Sequence, residues 1–399
     1  MPMPMGGVAT TLAANVLRHS ASGTSLEPGT IEPPMLMSMK QKWMLMVHGE
    51  AFLVEQQQSG ARGHDKFFAV NWFMPMAQRS FGRSQLTLRS MLSLEPATIT
   101  GQYYPELFQQ GETAYGRPIV DGQHPHNLFM EIAGIYDFKL AEKALLTVYA
   151  APVGDPAIGP VAYPHRASAS EDPLATLGHH LEDSTHISYD VITAGVSAGG
   201  AHGAHLEGSG FHGREPDENR WHMQAGPIDS WDGRLTIVPG RNWLGQYSVG
   251  RLHSPEAVHP EEDILRQTAS IAAHFGKHNT LDAGAVWGRN HTVGAAQNWN
   301  AYLLEATLHM RSKHALWTRM ENADRTSDLL GNAAPEAEYV VGRVQAYTGG
   351  YAYSLHSWSF GAVELGAQFT TYTTPSSLMQ HYGQHPWGVA PFLKLQLGK

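Results

Sequence analysis

Ala362-Val363-Glu364-Leu365-Gly366-Ala367-Gln368-Phe369 alternates in side-chain character along its whole length. In an extended chain, successive side chains point to opposite faces. The odd-numbered residues from Val363 to Phe369 therefore share one apolar face, while Glu364, Gly366 and Gln368 lie on the other. This period of two predicts a β-strand whose two faces meet chemically different surroundings.

Similar stretches recur from about residue 41 to the end of the chain, and most of them come in pairs joined by a short connection. The connections between pairs are long, polar and rich in Gly, Pro, His and Asp. We predict sixteen strands, at about 42–55, 66–78, 84–95, 128–140, 144–151, 185–198, 204–213, 231–238, 243–252, 265–275, 280–289, 300–310, 314–322, 339–353, 357–371 and 387–397.

Short turns alternating with long loops are typical of an up-and-down antiparallel barrel, and polar residues on one strand face with lipid-compatible residues on the other favour a transmembrane one. We predict an all-β protein with a single barrel of about sixteen strands, within a range of fourteen to eighteen. Its short turns would be periplasmic and its long loops extracellular. A soluble all-β fold is the alternative, although its strands are usually shorter and its connections less regular.

The composition agrees with a membrane barrel. Charged residues make up 16% of the 399 residues, below the roughly 25% of soluble domains, and no run of 18 apolar residues predicts a helical span. The chain has no cysteine, which excludes disulfides and thiolate chemistry. A net charge of −9 makes nucleic acid an unsuitable partner. The expected partners are the lipid bilayer and small solutes or ions.

Residues 1–40 show little periodicity, and we predict a flexible Met/Pro/Ser-rich leader or a plug-like arm before a barrel spanning 41–399. The methionines near the start could be soft ligands for Cu(I) or adaptable apolar filler. Residues 1–7 have neither a basic region nor a continuous apolar stretch, so we expect the sequence to be a mature or truncated form rather than one with a secretory signal.

Two long insertions, about 96–127 and 152–184, contain much of the polar chemistry, and we expect both to reach inward and narrow the lumen. Charged side chains in these insertions and in the loop after residue 213 could pair with one another and set which solutes pass. The candidates for this lining are Glu112, Arg166, Arg214, Glu215, Asp217 and Arg220.

The same segments are rich in histidine. His124 and His126 are two residues apart, so on an extended strand both imidazoles would point to one side, and His179, His180 and His186 could approach from a neighbouring strand. Neutral imidazole together with carboxylate suits Zn, Cu or Ni. These five histidines are candidate metal ligands, with Cu or Zn as the expected ion, although a His-x-His pattern is a weak signal.

A hydrolase is a further alternative. Ser184 and His186 lie close to Asp183, and a serine nucleophile needs a base within hydrogen-bonding distance and a third group to orient that base. The sequence lacks a Gly-x-Ser-x-Gly elbow around Ser184. We therefore expect a protein without enzymatic activity.

Several motifs in combination resemble a poorly characterised family of Gram-negative outer-membrane barrel proteins. They are Ser22-Gly23-Thr24-Ser25, Met91-Leu92-Ser93-Leu94-Glu95-Pro96, Gly111-Glu112-Thr113, Gln123-His124-Pro125-His126-Asn127-Leu128-Phe129-Met130-Glu131, Asp183-Ser184-Thr185-His186 and Gly213-Arg214-Glu215-Pro216-Asp217. The resemblance covers nearly the whole chain and implies a barrel in the outer membrane. Relatives are often associated with heavy-metal resistance, especially to copper. The resemblance assigns no catalytic residues.

The leading functional expectation is an outer-membrane channel for small solutes or ions, with a link to metal. The alternatives are a hydrolase embedded in the barrel, using Ser184 and His186, and a non-conducting barrel with a structural or metal-sequestering role. These three functions differ in what the lumen must contain. A channel needs a path that can open, a hydrolase needs a hydrogen-bonded Ser–His pair, and a metal-sequestering barrel needs a set of metal ligands.

Overall fold

The computed structural model describes residues 8–330 and 339–398. Within these ranges, sixteen long strands form one antiparallel sheet. In chain order, β1 to β16 are Trp43–Gln58, Lys66–Phe81, Ser84–Leu92, Phe129–Ala141, Ala144–Gly154, Ser188–Gly199, Gly203–His212, Ser230–Gly240, Trp243–Leu252, Ile264–Gly276, Thr280–Thr292, Asn298–Met310, His314–Thr326, Val340–Trp358, Gly361–Thr373 and Trp387–Leu397.

The sheet closes on itself because β1 pairs with both β2 and β16. A further short strand, Leu36–Lys40, pairs with the beginning of β1, from Trp43 to Val47. It continues the wall next to the end of β16, where Leu397 pairs with Gly49. The predicted closed barrel of sixteen antiparallel strands is confirmed.

Turns of two or three residues follow each even-numbered strand from β2 to β14, and longer connections follow most odd-numbered strands. All the short turns therefore lie at one rim, and β1 begins and β16 ends at that same rim. The two longest connections, residues 93–128 and 155–187, both leave from the opposite rim. This arrangement follows from an even number of strands and agrees with the predicted alternation of turns and loops.

The facing of the strands is also as predicted. In β15, Leu365 and Phe369 are 54% and 50% exposed, whereas Gln368 between them is 3% exposed. In β12, Leu304 is exposed and Glu305 is buried, and Trp317 of β13 points inward with Arg319. The outer face is apolar, and the inner face carries the charged and polar side chains.

Several strand boundaries differ from the prediction by three to five residues, and three of these differences change how a loop or turn begins. β3 ends at Leu92, because Pro96 lies in the first turn of a short helix, Glu95–Thr98. β6 begins at Ser188 rather than 185, since Ser184–His186 forms a 3-10 turn. β14 continues to Trp358, where Ser357 still pairs with Ala362, so its hairpin turns at residues 359–360 instead of 354–356.

The remaining elements are short and lie before the barrel or in its loops. The helices are Leu12–Val16, Glu95–Thr98, His179–Glu182 and Met379–Tyr382, with 3-10 turns at Thr100–Gln102, Tyr163–His165, Ala167–Ala169, Ser184–His186 and Ser327–Leu330. Two small ladders, Tyr104–Pro105 with Gly122–Gln123 and Thr113–Ala114 with Arg117–Pro118, shape the first long loop.

Residues 8–34, here called the arm, lie inside the barrel. The arm contains the helix Leu12–Val16, whose first turn is capped by the Thr11 side chain. Leu12, Val16 and Leu17 are buried against Leu145 and Val238 of the wall. Over these residues the chain packs against the inner side of the wall, and the predicted division at residue 40 stays a prediction. Residues 1–7, with Met1, Met3 and Met5, lie outside the described residues.

Candidate functional site

The lumen is filled by three segments: the arm and the two long loops, residues 93–128 and 155–187. Leu107 and Phe108 of the first loop pack with Leu177 and Leu181 of the second, against inward-facing wall residues such as Trp299. Three interior cavities beside these segments measure only about 30 to 40 Å³, space for a few water molecules. We call the three segments together the plug.

Buried charged groups on the wall hold the arm. Arg89 of β3 forms a two-pronged ion pair with Glu131 of β4, at 2.7 and 2.8 Å. Its guanidinium also donates to the backbone carbonyls of His19 and Ala21, at 2.7 and 2.6 Å. Carbonyls that face a charged donor form strong hydrogen bonds, so this one arginine fastens a segment far away in sequence.

A second ion-pair cluster fastens the loop 155–187. The Nε atom of Arg166 donates to Glu305 of β12 at 2.5 Å, and its Nη1 atom donates to Asp183 at 3.1 Å. Burial raises the pKa of Asp183, but its bond to His179 and the charge of Arg166 outweigh burial and hold that pKa below the usual range. Arg166, a predicted lumen residue, therefore joins the loop to the wall.

Glu112, His124 and His180 meet in the lumen. The Oε1 atom of Glu112 lies 2.9 Å from Nε2 of His124, and its Oε2 atom lies 3.0 Å from Nη2 of Arg220. One ligand-capable atom from each of Glu112, His124 and His180 lies within 4.8 Å of the other two. Among the described residues, this is the group of three or more His and carboxylate side chains that is close enough to hold one metal ion.

The protonation of this cluster follows from burial and charge. Burial raises the pKa of Glu112, but His124 and Arg220 outweigh it and hold that pKa below its usual range. Burial lowers the pKa of His124, and burial together with His179 lowers the pKa of His180 further. Burial and the neighbouring Glu112 raise the pKa of Glu215 to about 8. Glu112 is therefore the charged carboxylate of the cluster at neutral pH.

The other predicted histidines lie next to this cluster, and their rings contact one another edge-to-face or at a tilt. Ring centroids lie 5.4 Å apart for His179 and His180, 5.5 Å for His179 and His186, and 5.3 Å for His126 and His186. The structure thus brings all five together. Residues 124–127 are not part of a strand, and the two imidazoles have different partners: His124 contacts Glu112, and His126 contacts Glu95, each at 2.9 Å.

Ser184 and His186 are not arranged as a nucleophile and its base. Ser184 Oγ donates to Glu215 at 3.4 Å and accepts from Arg266 at 2.9 Å. The Nδ1 atom of His186 faces the backbone carbonyl of Asp183 at 2.9 Å, and no described residue forms a hydrogen bond with its Nε2 atom. The two side chains lie on a 3-10 turn rather than on a strand face.

Two of the predicted lumen residues, Arg214 and Asp217, are exposed on the loop after β7. Arg220 of the same loop is buried and pairs with Glu112 instead of Glu215 or Asp217. The loop reaches the site because the Arg220 carbonyl accepts from Leu128 N at 2.7 Å. That backbone contact turns the Arg220 side chain inward.

Sequence reasoning did not single out several wall residues that bind the plug. Arg234 of β8 pairs with Glu207 at 2.8 Å and donates to Ser25 of the arm at 2.9 Å, and Lys394 of β16 pairs with Glu171 of the second loop at 2.9 Å. The sequence did contain a signal for these wall residues: each is a charged residue on the polar, inward face of a predicted strand. The partner of such a residue in the plug could not be predicted from the sequence of that strand.

No protein-family model matches the sequence, and no curated protein matches it. Solved structures match in fold. The Salmonella typhi OmpF complex with daunomycin has a TM-score of 0.57 at 8% identity, covering 90% of this chain and 100% of that one. An anion-selective porin from Comamonas acidovorans has a TM-score of 0.55 at 9% identity, covering 89% and 99%. The outer-membrane channel DcaP of Acinetobacter baumannii has a TM-score of 0.50 at 10% identity, covering 90% and 100%.

The fold is that of the outer-membrane porins. This fold and the apolar outer face agree with the predicted location in the outer membrane of a Gram-negative bacterium. No helix in the described ranges is long and apolar enough to cross a bilayer. The predicted association with copper resistance stays a prediction.

Proposed function

We propose that this protein is an outer-membrane channel for small solutes or ions whose path is closed, in the conformation described, by the arm and the two long loops. A sixteen-stranded barrel is wide enough for an aqueous channel when its loops do not fill it. The plug is therefore the element that determines conduction. Movement of one or more of its segments would open the path.

The observation that carries this proposal is the set of charged contacts between the plug and the wall, which lie beside the apolar packing described above. Arg89, Arg234 and Lys394 of the wall bind the plug through ion pairs and charge-assisted hydrogen bonds. Desolvation offsets much of the energy that a buried ion pair provides, and charged groups regain their hydration when water enters. Such an interface supports a plug that can withdraw into water.

Conductance in planar bilayers tests the proposal, comparing the full chain with a variant that lacks residues 8–34. We expect small or rare conductance steps from the full chain and larger, frequent steps from the variant, because the arm occupies part of the lumen. Slower migration on gels after heating would show that both barrels are folded. A folded variant as silent as the full chain would rule out the channel.

A pair of substitutions refines the same test. Arg220→Gln removes a buried charge beside Glu112, and we expect it to change the conductance or the ion selectivity of the arm-less barrel. Arg214→Gln, six residues earlier in the same loop but exposed, is the matched control and should leave both unchanged. Equal effects of the two would contradict a path that passes Arg220.

A further inference from the structure

We propose that Glu112, His124 and His180 bind one divalent transition-metal ion of the zinc class. This site goes beyond the channel function, since equilibrium binding does not require conduction. Its ligand atoms already lie within 4.8 Å of one another, a spacing that a single ion between them can bridge with modest side-chain movement, given metal–ligand bonds of about 2.0–2.2 Å.

The hydrogen bonds of His124 point to a missing cation. Its Nδ1 atom lies 3.0 Å from the carbonyl oxygen of Pro125, and its Nε2 atom lies 2.9 Å from the carboxylate of Glu112. Both neighbours are acceptors, but a neutral imidazole has only one N–H. Either the ring carries a second proton, or a cation lies between Nε2 and the carboxylate.

The second histidine supplies an independent observation. His180 is buried, and its Nδ1 atom has no hydrogen-bond partner within residues 8–330 and 339–398. The nearest carboxylate oxygen, from Glu215, is 3.9 Å away, beyond hydrogen-bonding distance. A buried polar atom without a partner needs an explanation, and a metal ion would satisfy the lone pair.

The surroundings match those of a metal site. Protein ligands to metals are themselves oriented by hydrogen bonds from a second layer of groups. The Pro125 carbonyl fixes the Nδ1 atom of His124, and Arg220 binds only the Oε2 atom of Glu112. Oε1 of Glu112 and Nε2 of His124 are thus left to face the ion.

The ligand set selects the class of ion. Two imidazoles and one carboxylate suit Zn²⁺, Cu²⁺ or Ni²⁺, whereas Ca²⁺ and Mg²⁺ prefer oxygen ligands throughout. Three protein ligands leave a fourth position for water or for Glu215. A cavity of about 40 Å³ lined by Gly111 and His180 lies beside the site, room enough for that water.

Titration of the full chain, folded in detergent, with Zn²⁺ in a calorimeter tests the site. We expect one ion per barrel. Glu112→Gln, His124→Gln and His180→Gln should each weaken binding by roughly tenfold or more, since even second-layer changes cost this much. His274→Gln is the matched control, because His274 pairs with Asp282 at 2.7 Å and no third His or carboxylate of the described residues is close enough to share an ion. This variant should bind Zn²⁺ as the full chain does.

A measurement on the unaltered chain covers the case in which a variant does not fold. Diethyl pyrocarbonate modifies free imidazole nitrogens, and mass spectrometry reports each site. Zn²⁺ should protect His124 and His180 but not His274. Absence of zinc uptake would show that His124 is simply doubly protonated, and uptake that is unchanged in all three variants would assign the ion elsewhere; either result would overturn the site.

Discussion

At the scale of single residues, the lumen contains buried charged side chains that each bond to more than one neighbour. Glu305 accepts from Arg166 at 2.5 Å and from Ser168 at 2.7 Å, and its other oxygen lies 3.5 Å from Nε of Arg319. Two arginines therefore share one carboxylate, and each also faces an aspartate, Asp183 or Asp172. Removing one member of a buried ion pair costs more than the pair contributes, because the remaining charge stays desolvated.

We expect Glu305→Gln to lower the free energy of unfolding by about 3 kcal/mol or more. This value is the lower end of the range for breaking a buried ion pair, because Asp183 and Asp172 still face the two arginines. Urea titration of the barrel in lipid vesicles measures this. Glu142→Gln, in an exposed turn, is the control and should change the value by less than about 0.5 kcal/mol. Similar values for the two would refute the role of Glu305.

At the scale of elements, the arm is held by groups from several parts of the chain. One of them, Asp155, lies at the start of the second long loop, and its Oδ2 atom accepts from Ser22 Oγ of the arm at 2.8 Å. Gly23 lies against the Asp155 backbone so closely that an added Cβ atom would be 2.5 Å from its carbonyl oxygen. The arm and the loop thus dock through this small, buried contact and through Glu27, whose carboxylate accepts from Ala167 N at 3.0 Å.

This contact makes docking of the arm sensitive to pH. Burial raises the pKa of Asp155 to about 7 from an ordinary 3.8, with Arg234 opposing the shift. A raised folded-state pKa gives a contribution that is complete below about pH 4 and is lost as the pH rises through about 7. We expect the arm to be held more tightly at pH 5 than at pH 8.5.

Because the chain has no cysteine, a cysteine replacing exposed Val8 gives a unique spin-label site at the start of the arm. The label should become more mobile between pH 5 and pH 8.5, and Asp155→Asn, which cannot ionise, should flatten that change. A label whose mobility depends equally on pH in both proteins would show that another group controls docking.

The elements also show how far the sequence leads. A period of two needs only local information, so strand facings such as those of Glu305 and Trp317 could be predicted. The loops have no period, and their paths depend on contacts with strands far away in the chain. His124 and His180 were identifiable as ligands and Glu112 as a lumen residue, yet their meeting depends on how the two long loops fold against each other.

At the scale of the whole molecule, the barrel separates a polar interior from an apolar exterior. The outward residues of β12 include Tyr302 and Leu304, both exposed. Leu304 is at the centre of that strand, which runs from Asn298 to Met310, so it lies near the middle of the bilayer. A charge there would face hydrocarbon, while one at the strand end would reach the headgroups.

We expect Leu304→Arg to destabilise the barrel in lipid by about 2–4 kcal/mol, and Met310→Arg, at the end of the same strand, by about 0–1 kcal/mol. The free energy of unfolding in vesicles checks both values. Equal costs would mean that this strand does not cross the bilayer with Leu304 near its centre.

The position of the arm has a consequence for how the protein is assembled. The arm precedes every strand, but its partners are spread along the chain: His19 meets Asp137, 118 residues later, and Ser25 meets Arg234, 209 residues later. Contacts between such distant residues form slowly. The arm, which precedes every strand described, is thus among the last parts of the fold to settle, and we expect a barrel caught before that step to conduct until the arm docks.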